Sequence, residues 1–214
     1  MTTRGEPLVF HSNPRVFECS RVSRLTILLP TLNCCLRQAR APATLAAMRV
    51  LGIDCGGEFT GYGIVEQDNQ GCLRHLCSGA IRLSPREALE LRLKTICEGL
   101  AQVIAAYSPE QVAIEDVFYA VNAKSALKLG HVRGVAMLAA AQAGLAVVAY
   151  SPLSIKSAVV GYGRAEKSQV QLMVTRLLDL PAPPESADAA DALAIAICHL
   201  HTAATLQRQQ AGAR

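Results

Sequence analysis

Arg49-Val50-Leu51-Gly52-Ile53-Asp54-Cys55-Gly56-Gly57 decides how the chain is to be read. An apolar run of strand length stops at a single carboxylate, and a Gly-rich turn follows. A run of this kind reads as a strand buried on both faces. Asp54 then stands where the strand leaves the core. A buried, unpaired carboxylate is costly, so Asp54 needs a cation, a hydrogen-bond donor or water. Capping of the turn would also satisfy it, since Asp favours such positions. What decides between these is what else the chain brings to the same end of the sheet.

Working outward, Gly61-Tyr62-Gly63-Ile64-Val65 resumes as a second strand. Asp68-Asn69-Gln70-Gly71 is a turn signal, and 73–83 reads as a third strand. Connections this short make an antiparallel meander. Pro85 is expected to open a long helix in which Leu89, Leu93, Ile96, Leu100 and Val103 recur at helical spacing, and Ser108-Pro109 stops it. Val112-Ala113-Ile114-Glu115 is a fourth apolar strand that again ends in an acid. After a loop at 118–122, Ser125 is expected to cap a helix running through Lys128, Arg133 and an Ala-rich stretch to Gly144. A fifth strand covers 147–150. Pro152 opens a segment carrying Lys156, and Gly161-Tyr162-Gly163 is a loop. Helices follow over 166–178 and, capped by Ser186, over about 187–202. The order predicts an α/β fold: a mixed five-stranded sheet with helices on both faces. Strands one and four should be parallel neighbours, because a helix lies between them in sequence.

Length and composition bound the answer. The 214 residues suit one domain, and 51% hydrophobic content is enough for a large core. No apolar run reaches the length of a bilayer span, so a soluble protein without membrane attachment is expected. The eight cysteines include no Cys-x-x-Cys pair and give no zinc spacing with the five histidines. That usage fits a reducing, cytoplasmic setting. Six arginines and only two glutamates precede Met48, which leaves 15 basic and 15 acidic residues out of 21 and 17 for the rest. Net charge therefore gives no support for nucleic-acid binding by the main body. Residues 1–47 are expected to be an extension, disordered or the product of a start assigned too far upstream. The folded domain is expected over 48–204, with a flexible tail at 205–214.

Four acids now stand out. Asp54 and Glu115 end strands, and Asp188 and Asp191 lie three residues apart on one face of the last helix. Acids in a first helical turn also complement the helix dipole, which is the plainer account of that pair. The neighbours Ala187, Ala189, Ala190, Ala192, Leu193 and Ala194 favour another account. A helix so apolar packs against the sheet, and its acids are then not idle solvated charges. Four carboxylates at one point repel unless a hard divalent cation joins them, and all-oxygen ligands suit Mg²⁺ or Mn²⁺. Two such ions about 3.5–4 Å apart form the clamp used in phosphodiester hydrolysis.

Leu51-Gly52-Ile53-Asp54, Thr60-Gly61-Tyr62-Gly63, Ala113-Ile114-Glu115, Ser125-Ala126-Leu127-Lys128-Leu129-Gly130, Ala165-Glu166-Lys167-Ser168-Gln169-Val170 and 187–194 (ADAADALA) together resemble the RuvC family of Holliday junction resolvases. The resemblance runs in order from about Met48 to His201. It implies a ribonuclease-H-like fold, a homodimer and Mg²⁺-dependent cleavage of four-way DNA junctions by paired symmetric nicks. It also implies two Mg²⁺ per site, with Mn²⁺ able to substitute, and a RuvA–RuvB branch-migration complex as partner. Asp54, Glu115, Asp188 and Asp191 fall where the family carries its catalytic, metal-binding acids. Two positions depart from the family pattern: Cys55 stands where Pro is usual, and Asp116 where Gln is common. Asp116 would add charge beside the site.

Phe118, three residues past Glu115, could stack on an unpaired base at a junction centre or simply pack in the core. The family's aromatic at this place favours stacking. Lys156, Arg164 and Lys167 surround a Gly-rich loop, as phosphate contacts would. Solvated surface is the ordinary alternative for such residues. His199 and His201 are expected to be surface or supporting residues rather than ligands. Two other functions compete. Gly52 to Thr60 resembles the first phosphate loop of actin-like and sugar-kinase ATPases, although no second phosphate loop follows. A non-catalytic junction binder is the other, but it would not need four acids.

Overall fold

The computed structural model describes residues 47–116 and 123–212. One sheet organises it, in the order β3-β2-β1-β4-β5. The strands are β1 (Met48–Cys55), β2 (Phe59–Gln67), β3 (Leu73–Arg82), β4 (Gln111–Glu115) and β5 (Ala146–Tyr150). β1, β2 and β3 form the expected antiparallel meander. β1 lies parallel to β4, with Ile53 opposite Ile114, and β4 lies parallel to β5.

The helices are α1 (Leu89–Tyr107), α2 (Ala123–Gln142), α3 (Pro152–Val160), α4 (Lys167–Leu177) and α5 (Ala187–Gly212). Successive side chains of a strand face opposite sides, and two separate cores result. Val50, Val65 and Ala113 meet Ile155, Val159, Val170, Val174 and Leu193 from α3, α4 and α5. Leu51, Ile53, Ile64, Val112 and Ile114 meet Ile96, Leu100 and Ile104 of α1 and Val132, Ala136 and Ala140 of α2. The sheet is thus covered on both faces, and β1 at its centre is fully buried at Val50, Leu51 and Ile53.

The alternation fixes where the acids go. Asp54 follows the parity of Val50, and Glu115 follows that of Ala113. Both therefore emerge on the α5 face, at the ends of neighbouring parallel strands. α5 comes unusually close there. A Cβ on Gly52 would run into the Ala192 carbonyl, and one on Gly61 into the Asp188 carbonyl. These two glycines let the first turns of α5 lie directly on β1 and β2.

Three local expectations need correction. Pro85 does not open α1. Glu87 N–H donates to Ser84 O at 3.2 Å, so Pro85 occupies a turn, where its fixed φ is equally favoured, and the helix begins at Leu89. Ser125 lies inside α2, which already starts at Ala123. α5 runs on to Gly212 instead of ending near 202, so the stretch expected as a tail is helical that far. Its Ala, Leu, Gln and Arg residues are strong helix formers. The segment 187–206 is also long and apolar enough to cross a bilayer by length and composition, contrary to expectation. Its packing against the sheet makes it a core helix: Ala192, Leu193, Ala196, Ile197 and Leu200 are buried.

Candidate active site

Three local devices set the site residues in place. Ser186 Oγ accepts a hydrogen bond from Ala189 N–H at 3.1 Å and caps α5, so Asp188 and Asp191 fall in its opening turns. Glu166 and Gln169 form a capping box that starts α4 and puts Lys167 at its first position. Ser151 caps α3 by accepting from Ser154 N–H at 3.1 Å, with Pro152 at the first helical position, and Lys156 follows in the next turn.

Asp54, Glu115, Lys156, Lys167 and Asp191 line one cleft, floored by Ile155, Val170, Ala194 and Ile195. Asp188 does not line it, yet its charge acts on Asp54. Burial pushes the Asp54 carboxyl up to about 7, and the charges of Asp191, Glu115 and Asp188 push the same way. Glu115 is raised by burial first, then by Asp191, with Lys156 and Lys167 pulling against both. Lys167 Nζ sits 2.6 Å from Asp191 Oδ2, and that hydrogen bond raises the lysine's own pKa. A lysine at a helix N-terminus opposes the dipole, and this carboxylate compensates it.

This pattern tests whether a cation fits. The charges of Asp191, Glu115 and Asp188 raise the cost of ionising Asp54, and Lys167 offsets them only in part. All the donors are carboxylate oxygens, which suits a hard divalent cation. Among the described residues, no three acidic, His or Cys side chains already stand grouped around one point as ligands. The electrostatic demand is present, and Lys167 partly meets it at Asp191.

The remaining expected residues are placed as follows. Arg164 lies in the loop before α4 and is not part of the cleft lining. Phe118 lies outside the described residues. His199 is buried, not on the surface: Tyr150 Oη lies 2.9 Å from its Nδ1 and Gln111 Oε1 2.5 Å from its Nε2. His201 Nδ1 lies 3.1 Å from the Ala158 carbonyl. Asp116 points away from the acids, as the strand alternation requires, and pairs with Arg133 at 3.2 Å. Sequence reasoning singled out neither this pair nor the Lys167–Asp191 contact. Each joins side chains far apart in the chain, and no local spacing signals it.

A family model described as crossover junction endodeoxyribonuclease RuvC matches residues 50–199. A protein of that name from Koribacter versatilis is 66% identical over 166 residues, covering 78% of this chain and 100% of its own length. A namesake from Acidobacterium capsulatum is 59% identical over 169 residues, covering 76% of this chain and 99% of its own length. Among solved structures, Thermus thermophilus RuvC in complex with a Holliday junction substrate is 36% identical, with a TM-score of 0.71, covering 74% of this chain and 96% of that one. The matched span takes in most of β1, all of β4 and the start of α5, and the chain belongs to the RuvC family of crossover junction endodeoxyribonucleases.

Proposed function

We propose that this chain is a structure-specific endonuclease that resolves four-way DNA junctions in recombination and repair. It hydrolyses phosphodiester bonds with Asp54, Glu115, Asp188 and Asp191 as the acids that hold Mg²⁺. The observation that carries this is one cleft lined by Asp54, Glu115 and Asp191 together with Lys156 and Lys167, in which Asp54 is pushed up to about 7 by burial and by the charges of Asp191, Glu115 and Asp188. Mg²⁺ held there supplies Lewis acidity, lowering the pKa of water and taking up charge on phosphate oxygens. The protein's own part is to hold the acids in a part-buried, low-dielectric setting and to bring the phosphate to them. Lys156 and Lys167, which line the cleft, bind the DNA backbone there, and Arg164 binds it from the adjoining loop. Phe118 is assigned to stack on an unpaired base at the junction centre.

Paired nicks require two sites, which a homodimer supplies. The same reading names RuvA–RuvB as the partner complex, Mn²⁺ as a substitute metal and the cytoplasm as the location. Family membership leaves the ATPase reading of Gly52 to Thr60 without support. The test is cleavage of a synthetic four-way junction against a linear duplex of the same sequence, with Mg²⁺ and with chelator. Mg²⁺-dependent cutting of the junction in two strands of like polarity is expected. Cutting of both substrates alike, or binding without cutting, would overturn the proposal.

A further inference from the structure

Behind the acids, on the opposite face of the sheet, stands a cation with no assigned role. Arg133 is carried by α2. Its Nε donates to the Glu115 carbonyl at 3.3 Å, and its Nη2 lies 3.2 Å from Asp116 Oδ1. The Asp116 N–H donates to the Tyr150 carbonyl at 2.8 Å. The Glu115 carbonyl and the Asp116 N–H belong to one peptide group. That group is therefore held from both ends, by Arg133 and by β5.

This matters because β4 loses its support at that point. Its pairing with β1 ends at Ile53–Ile114, one residue before Glu115. Only the β5 side continues, with Glu115 opposite Tyr150. A peptide plane held by one hydrogen bond can rock about it. The second, from a planar guanidinium that also grips the next side chain, removes that freedom. Fixing the peptide fixes ψ of Glu115, and with it the direction in which the carboxylate leaves the strand.

We infer that Arg133 and Asp116 form a positioning pair that aims the Glu115 carboxylate into the cation site by locking the Glu115–Asp116 peptide. This rests on the reading of Glu115 as a metal-binding acid. It also accounts for the acid at 116: the charge is spent on the reverse face, on Arg133, and does not enter the cleft.

The test uses the full chain and the variants Arg133→Gln, Arg133→Lys and Asp116→Asn. Mg²⁺ affinity is measured by calorimetry, junction affinity in chelator, and cutting under single turnover, alongside the melting temperature. Supporting groups behind metal ligands cost about 10–100-fold in metal affinity or activity when removed. Arg133→Gln should therefore bind Mg²⁺ and cut at least about tenfold more weakly, with junction affinity unchanged. Asp116→Asn should lose less, because the bond to the carbonyl survives. Arg133→Lys keeps the charge but not the fork, and should resemble Arg133→Gln. Full activity and Mg²⁺ affinity in Arg133→Lys would overturn the inference. So would weakened junction binding with unchanged Mg²⁺ affinity, which is the mark of a phosphate contact. If Arg133→Gln does not fold, the other two variants decide. If the wild-type chain cuts no junction, the resolvase reading falls, while the Mg²⁺ affinities still decide the role of Arg133.

Discussion

Asp54 is the residue most at odds with its surroundings, and its titration gives a prediction with a definite sign. Its carboxyl is ordinarily near 3.8 and is raised to about 7 in the fold. The folded state therefore holds this proton more tightly than the unfolded chain does. Stability falls as pH rises through that window, where the native state binds more protons. Glu115 is raised as well and acts in the same direction. The metal-free protein should melt at a lower temperature at about pH 8 than at about pH 5, and Mg²⁺ should restore stability most at the higher pH. Asp54→Asn should flatten both responses. Scanning calorimetry across the window checks this, and a melting temperature that rises with pH contradicts it. Asp54 and Glu115 stand out in the sequence because each ends an apolar strand, and Asp188 and Asp191 because they share one face of an apolar helix. Lys167 was legible only as a phosphate contact. Its bond to Asp191 spans α4 and α5, and only the fold brings those helices together.

The docking of α5 on β1 and β2 places two of the four acids, and two glycines permit it. Gly61→Ala would drive a Cβ into the Asp188 carbonyl, and Gly52→Ala into the Ala192 carbonyl. The obstructing group in each case is backbone, which cannot swing aside as a side chain can. Overpacking of this kind costs about 1–3 kcal/mol, and these two contacts belong at or above the upper end. Gly61→Ala should also lose cutting, because relief of the clash moves the turn that carries Asp188. Gly57→Ala has nothing within 4 Å of its new Cβ and should stay within about 0.5 kcal/mol of wild type. Urea melts of the three variants compare them directly. Equal stability of Gly61→Ala and Gly57→Ala would mean that α5 is not held as described. The strands were legible from apolar runs and turn residues, and the helices from their spacing. Helix starts were read less well. Pro85 and Ser125 suit a helix N-terminus, but Pro suits a turn equally, and Ser can be carried in a helix interior at modest cost.

For the whole molecule, the order of elements was enough to predict the sheet. A parallel β1–β4 pair needs a crossover, and α1 is the segment long enough to make it. The reach of α5 was not legible, since its last turns have no stop signal before Gly212. The composition break at Met48 motivates a further prediction, that the domain begins there. A chain started at Met48 should melt and cut as the full chain does, and loss of folding in it would sink the idea.

The central claim is that the acids on the α5 face hold the cation that cuts the junction, while other residues hold the DNA. Asp191→Asn tests it most directly, because it keeps the shape and removes the charge that a hard cation needs. Junction affinity and single-turnover cutting should be measured on the same four-way substrate. The account predicts unchanged or slightly tighter binding, since DNA is held mainly through its phosphates by basic groups. It predicts cutting reduced by several orders of magnitude, as befits loss of a metal clamp worth several kcal/mol to the transition state. A role limited to the helix dipole predicts near-normal cutting and a stability change of about 0.3–1 kcal/mol. Near-normal cutting by Asp191→Asn would contradict the account.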